Sequence, residues 1–440
     1  MQSSSANRII SVIFLTLLVD LIGFSIIFPL FPSILEYYLQ IQTPPSWIEQ
    51  ILHPLKEWSH EAGDQGNFLV TVFFGGCMAA LYSILQFIFM PIWGNWSDRI
   101  GRKKTILISI AGTSIGYLIW LFAGSFLMLL LSRVIISCMS ANIAVASAAI
   151  ADITQPQNRA KSMAIVGIAF GLGFILGPAI GGIASSYNPL LTYPQLSSLG
   201  INPFFLPTLI AFILSIINWV CVFIYFQETL PVSSRTCTPL QTPLNRIKNI
   251  FGVQNHQVRH TCWVNFLFIL IFSGMEFSLT FLAKERFSFT AQDNGFLFVY
   301  IGFMMIIAQG LIIRRFVGII GEKRLSIIGI TLGCIGLFLL AQAYSMGWFL
   351  IASGILALSS GLMNALMSLT SLYAHPHQQG RDIGAFRSAG ALGRSLGPLA
   401  AAILYFKMGA HITYLIGALA LIIPWIAAYQ LPRPHASSCV

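Results

Sequence analysis

The sequence predicts an all-α membrane protein with twelve transmembrane helices in a six-plus-six pseudo-repeat, and three observations lead there. Of its 440 residues, 56% are hydrophobic and only 9% charged, with a mean hydropathy of +0.79; a soluble domain carries about 25% charged residues. The apolar residues fall in runs long enough to cross a hydrocarbon core about 30 Å thick, a crossing that takes about 20 helical residues. A constant shift of 220 residues also relates the two halves. Gly173, Gly177 and Pro178 map onto Gly393, Gly397 and Pro398, while Gly101, Lys103 and Lys104 map onto Gly321, Lys323 and Arg324. One offset serving two separate places points to parallel repeats about an axis along the membrane normal. The plainer alternative is that glycine-rich helices resemble one another.

Runs bounded by charges or turn residues place the spans near 8–32, 66–91, 104–124, 126–152, 160–185, 204–226, 261–283, 292–313, 324–344, 346–371, 382–406 and 410–432. The first run is too long for the apolar part of a signal peptide and no small-residue cleavage pattern follows it, so it is read as the first span. Two connections are long. Residues 33–65 are rich in Trp, Glu and Pro, whereas residues 227–260 are rich in Thr, Ser, Pro and basic residues and divide six spans from six. The expected domains are an N-terminal six-helix bundle over 1–226, a cytoplasmic linker over 227–260 and a C-terminal six-helix bundle over 261–440.

A net charge of +10 raises nucleic acid or acidic lipid as a partner, so the placement of the 24 basic residues matters. With the N-terminus inside, seventeen fall in cytoplasmic segments and four (Lys56, Lys284, Arg286 and Lys407) on the opposite side. This asymmetry is that of a multi-pass protein of the cell inner (plasma) membrane, with both termini cytoplasmic and an even number of spans. The charge reports topology, and no nucleic-acid partner is expected. The seven cysteines are scattered, mostly inside apolar runs (Cys77, Cys138, Cys221, Cys334), without the spacing of a metal or redox site. No metal and no cofactor are expected. No nucleophile constellation or Walker-type loop is visible either, so the chain does not read as an enzyme.

Between the second and third spans the sequence is GNWSDRIGRKK (94–104), a short loop with Asp98 among Arg99, Arg102, Lys103 and Lys104. Basic residues alone would hold such a loop on the cytoplasmic side. Gly94 and Gly101, seven residues apart around an acid, exceed that need: glycine permits positive φ and close backbone approach. An acid at a helix end can pair with charges on a neighbouring helix in one conformation and release them in another. The fifth span carries GFILGPAIGG (173–182), where Gly173, Gly177, Gly181 and Gly182 leave one helix face nearly bare for close packing. Pro178 removes one backbone hydrogen bond there.

These two motifs resemble signatures of the major facilitator superfamily. The first is similar to G-x-L-x-D-R-x-G-R-K/R, with Trp96 where Leu is usual, and the second to the G-x-x-x-G-P-x-x-G-G of the antiporter branch. DLIGFSIIFPLFP (20–32) looks like the first-helix pattern of the twelve-span drug:proton antiporters. LSRVIIS (131–137) is similar to their helix-four pattern, with Ser137 in place of a usual Gly. The stretches 274–289, 295–310 and 387–398 resemble the tetracycline-transporter-like members and their animal branch. The resemblance implies a major facilitator fold with a central cavity and alternating access by rocking of the halves. It implies a gating role for Gly94, Asp98, Arg99, Gly101, Arg102 and Lys103. It also implies that the face formed by Gly173, Gly177, Pro178, Gly181 and Gly182 seals one end of the pathway and favours antiport over leak.

An ionised side chain deep in a span costs roughly 2.5 to 3.5 kcal/mol on insertion scales and so calls for a pathway or a partner. Asp20 is twelve residues into the first span, about 18 Å along it and near mid-bilayer. It reads as a proton or substrate site, the alternative being a fixed internal ion pair. Burial favours a protonated carboxyl and an approaching guanidinium favours the ionised one; Arg133 on the fourth span is the candidate partner for such a cycle, or else a static brace. Glu276 on the seventh span has the same standing, or is a wetted residue near the outer mouth. Arg387 and Arg394 share one face of the eleventh span. Arg387 either faces the cavity or reaches the headgroups. Arg394, about 20 Å from the cytoplasmic end, is placed to meet an anionic group of a substrate or a carboxylate such as Glu276. Gln86, Asn142, Gln309 and Asn364 are polar in apolar spans and either line the cavity or hydrogen-bond between helices. His375 and His377 read as solvated loop residues.

The expected function is proton-coupled efflux of a small organic molecule, of multidrug or tetracycline-resistance-like type. Its rivals are a proton-coupled importer or facilitator of a nutrient or siderophore, and a non-transporting membrane sensor or scaffold. The expected partners are a small-molecule substrate, protons and the lipid bilayer. A monomer suffices, because both halves lie in one chain.

Overall fold

The structure, a computed structural model, describes residues 2–41, 66–140, 142–154, 159–231, 235, 252–374 and 379–432. His375 and His377, residues 42–65 and most of the linker over 227–260 lie outside the described residues. The described residues contain helices and no strands. The long helices are α1 (Gln2–Ser25), α2 (Gly66–Ile100), α3 (Arg102–Leu121), α4 (Phe126–Met139), α5 (Asn142–Ile153), α6 (Arg159–Ala184) and α7 (Phe205–Tyr225). After the linker come α8 (His256–Phe287), α9 (Ala291–Ile307), α10 (Glu322–Ala341), α11 (Met346–Leu362), α12 (Asn364–Tyr373), α13 (Gln379–Ala420) and α14 (Ile422–Gln430).

Ten stretches of the described residues are long and apolar enough to cross a bilayer. The last, Asp382–Gln430, has 49 residues, about 74 Å of helix and too long for one crossing. Gly409, with φ 72° and ψ 173°, breaks it in two. The 26 residues of α6 have crossing length as well, so the architecture is consistent with twelve crossings. The boundaries shift in two places. The first span runs from Ile9 to Leu39 rather than ending near residue 32, because the chain continues through short helical turns to Ile41. The predicted loop over 94–104 is almost entirely helix: α2 runs to Ile100 and only Gly101 separates it from α3.

One span is broken at a non-helical residue, and another is interrupted by a single residue that keeps helical angles. Ser140 (φ −72°, ψ 69°) ends α4 before α5 starts at Asn142, and α11 gives way to α12 at Met363, with Asn364 leading the second piece. The repeat is visible in backbone geometry. Gly101 (φ 103°) precedes the 20 residues of α3 and Gly321 (φ 85°) precedes the 20 residues of α10. Ser125 and Ser345 then occupy the N-terminal boundary positions of α4 and α11 at the same offset of 220.

Clustering of neighbouring residues separates two compact units. The first holds the described residues of Met1–Thr71, Leu81–Leu240 and Phe289–Val299, the second those of Val72–Ala80, Gln241–Ser288 and Tyr300–Val440. In the first unit α1 lies along α6. A Cβ added to Gly173, Gly177 or Gly181 would fall 2.5 Å from Leu21 Cβ, 1.9 Å from Ser25 Oγ or 2.2 Å from the Ile26 carbonyl oxygen. Ser25 Oγ also donates to the Gly173 carbonyl at 2.8 Å, so the two backbones are in direct contact. In the second unit α8 lies along α13 in the same manner, with Gly397 against Ser273 Oγ and the Leu270 carbonyl. Helix pairing through small residues is the membrane solution, since lipid offers no hydrophobic drive between apolar helices.

Candidate functional site

Asp20 lies in α1 within the first unit. Its Oδ1 accepts a hydrogen bond from Asn142 Nδ2 at 2.9 Å, placed there because the break at Ser140 lets α5 begin at that residue. Asn142 is fully buried and its Oδ1 has no hydrogen-bond partner. Among the described residues no cation pairs with Asp20. Tyr82 and Tyr117 are its electrostatic neighbours, and the Tyr82 hydroxyl meets Ser140 Oγ at 3.2 Å. An aromatic wall extends from there. Phe24 lies 5.0 Å from Tyr82, 5.1 Å from Phe28 and 6.0 Å from Phe174, centroid to centroid.

Arg133 does not form the expected pair with Asp20. It is buried in α4, with its guanidinium carbon 3.8 Å from the centroid of the Trp120 ring. In the second unit, Arg394 Nη1 stands 3.8 Å from Glu276 Oε2, a long contact with Arg394 half-exposed. Gln86 is half-buried in α2, while Arg387, Gln309 and Asn364 are exposed.

The motif at 94–104 builds a charge cluster in the first unit. The buried Arg102 donates from Nε to Asp152 Oδ2 at 2.9 Å and from Nη1 to Asp98 Oδ1 at 2.6 Å and to Ser97 Oγ. Glu228, just beyond α7, closes the other side. Its carboxylate accepts from the backbone N–H groups of Arg102 at 2.8 Å and Lys103 at 3.2 Å, the first turn of α3, where a negative charge is favoured. Gly101 makes this possible, because an added Cβ would lie 2.3 Å from Glu228 Oε2. Gly94 has no such role: it is helical, with nothing within 4 Å of a Cβ position. Arg99 is exposed, as is Trp96. Sequence reasoning missed Asp152 and Glu228. The acid in QETLP at the end of the sixth span was the available signal, but its partner is 126 residues away.

In α6 the glycines face two ways. Gly173, Gly177 and Gly181 meet α1. Gly182 meets α9, where a Cβ would lie 2.9 Å from Gly295 Cα and 3.0 Å from the Ala291 carbonyl oxygen.

The sequence profile of the Major Facilitator Superfamily matches residues 13–398 and 310–438. The chain belongs to the Major Facilitator Superfamily. Like other members of that superfamily it is a membrane-embedded transporter for a small molecule. Among its relatives is Major facilitator superfamily domain-containing protein 10 of Mus musculus, 31% identical over 469 aligned positions that cover 99% of this chain and 96% of the mouse protein. The class B tetracycline resistance protein of Escherichia coli is 30% identical over 339 positions, 75% of this chain and 78% of that protein. The crystal structure of the human organic anion transporter MFSD10 superposes with a TM-score of 0.74 at 27% identity, covering 96% of this chain and 99% of that one. A D-xylose-proton symporter superposes with a TM-score of 0.72 at 15% identity over 97% of this chain and 98% of that one, a likeness that shows the fold alone.

Proposed function

We propose that this major facilitator exports a small organic molecule in exchange for protons by alternating access, and that organic anions are the first substrate class to test. The observation that carries the reading is Asp20. It is a carboxyl midway along the first span, tied by one hydrogen bond to the neutral Asn142 and, among the described residues, to no cation. A carboxyl so placed can take up a proton without breaking an ion pair, which a coupling group must do once per cycle. The second unit adds Glu276 with Arg394, loosely paired at 3.8 Å and able to part around an anion. Relatives support the direction: tetracycline resistance proteins resemble the chain, and the human transporter that resembles it is an organic anion transporter. The GPAIGG face packed against α1 and α9 supports antiport, since close helix contact excludes a leak. The basic residues support a cytoplasmic location for both termini in an inner or plasma membrane. The halves over 1–226 and 261–440, joined by the linker over 227–260, serve as the two moving parts, and one chain suffices.

The test uses proteoliposomes with an imposed pH gradient, a panel of anionic and zwitterionic compounds, and Asp20→Asn as the paired control. Gradient-driven accumulation that the variant loses is the expected result. Equal movement without a gradient and in the variant would replace antiport with facilitated flux. Accumulation along the proton flow would make the chain an importer. Absence of movement for every compound would favour a sensor or scaffold.

A further inference from the structure

Around Arg133 the first unit gathers buried hydrogen-bond donors that make no hydrogen bond. Arg133 is 7% exposed, and its Nε and Nη2 have no hydrogen-bond partner; Trp120 is fully buried beneath the guanidinium and its Nε1 has none either. No carboxylate compensates: among the described residues Arg133 makes no ion pair, and Asp20 is held by Asn142. Its electrostatic neighbours are the phenols of Tyr38, Tyr82 and Tyr117. The Tyr38 hydroxyl is turned away, donating to the Ala123 carbonyl. A buried cation with unmet N–H groups is among the costliest arrangements in a protein interior, and it persists where an anion completes it in another state.

The geometry points to Arg133 and Trp120 as the binding site for the carboxylate of an aromatic acid, the transported molecule of the proposed function. A carboxylate accepts from a guanidinium edge and an indole N–H together, which no single neutral group does as well. The same unit offers a surface for the ring of the acid, the wall of Phe24, Phe28 and Phe174 that begins at Tyr82. The donor atoms are shut off from solvent in this conformation, so binding requires a rearrangement that exposes them. The inference rests on the transport reading only for the identity of the anion.

The experiment is thermal unfolding of the purified full chain in detergent at neutral pH, with benzoate, benzamide and chloride as probes. Benzoate is expected to raise the melting temperature of the wild type, and benzamide and chloride to leave it unmoved. Arg133→Met is expected to melt higher than the wild type without ligand, since an unmet buried charge has gone, and to lose the benzoate shift. Trp120→Phe keeps the ring and removes one donor, and is expected to weaken half-saturation by about tenfold. A lower melting temperature for Arg133→Met in the absence of ligand would make Arg133 a structural brace and overturn the inference. So would a benzoate shift retained in that variant, a shift that chloride reproduces, or no benzoate shift in the wild type. The assay needs neither a gradient nor flux, so failure of antiport leaves it standing, and its own failure leaves antiport standing.

Discussion

A methyl group on Gly177 would lie 1.9 Å from Ser25 Oγ and 2.8 Å from the Ile22 carbonyl oxygen, one a side chain and the other backbone. Ser25 can turn away, but the carbonyl belongs to α1 and cannot. Gly177→Leu is therefore expected to force α1 from α6, at about 1 to 3 kcal/mol of overpacking, and to lower the melting temperature in detergent. Gly94 supplies the contrast within the resembling motifs. It is helical with open space around it, so Gly94→Ala should raise stability by about 0.5 to 1 kcal/mol through helix propensity alone. A Gly94→Ala variant that melted below the wild type would show that residue 94 is packed in the major state, contrary to this structure. Arg133 shows the limit of reading single residues. Two charges within spans, Asp20 and Arg133, invited pairing from sequence, yet a neutral amide took the carboxylate and an indole took the guanidinium. Partner choice is tertiary, and residue type alone does not decide it.

At the scale of elements, helix ends buried in a membrane protein must find donors for their last carbonyls. For α10 they come from Arg286 at the end of α8. Its Nη1 donates to the carbonyls of Leu340 at 2.9 Å and Ala343 at 2.8 Å, its Nη2 to that of Ala341 at 3.0 Å, and its guanidinium carbon lies 4.5 Å from the centroid of the Tyr344 ring. The sequence placed Arg286 only as one of four basic residues on the sparse side. Arg286→Ala leaves three carbonyls without that donor and is expected to cost about 1 to 3 kcal/mol. Arg286→Lys should recover little of it, since an ammonium cannot fork as a guanidinium does. Melting temperatures of the two variants check this, and full recovery by lysine would reduce the contact to simple charge. Span positions were legible because each is an apolar run, and the break at Gly409 was legible because Lys407 and Gly409 interrupt one. The break at Ser140 was not, because the apolar run continues through it and only the backbone angles mark it.

Across the whole molecule, the repeat makes one half a control for the other. Gly101 and Gly321 sit 220 residues apart with φ 103° and 85° and ψ 158° and 153°, a region that is essentially closed to side chains and costs about 1 to 3 kcal/mol to occupy. What surrounds them differs. Gly101 is closed over by Glu228, which also holds the first N–H groups of α3, whereas a Cβ added at Gly321 would meet nothing within 4 Å, and Gly321 borders a cavity of about 520 Å³ lined in part by Lys323, Arg324 and Tyr429. The sequence explains the difference: the acid of QETLP (227–231) has no counterpart in QLP (430–432). Alanine at either glycine should therefore lower stability through backbone strain, and at Gly101 it should do more, because Glu228 must withdraw from the helix end. In a Glu228→Gln background, where the helix end has already lost its negative charge, the excess cost at Gly101 should shrink towards that at Gly321. Thermal unfolding of the two single variants and the corresponding double variants measures the difference directly. Equal costs in every background would mean that Glu228 is a bystander and that the charge cluster closes on Arg102, Asp98 and Asp152 alone.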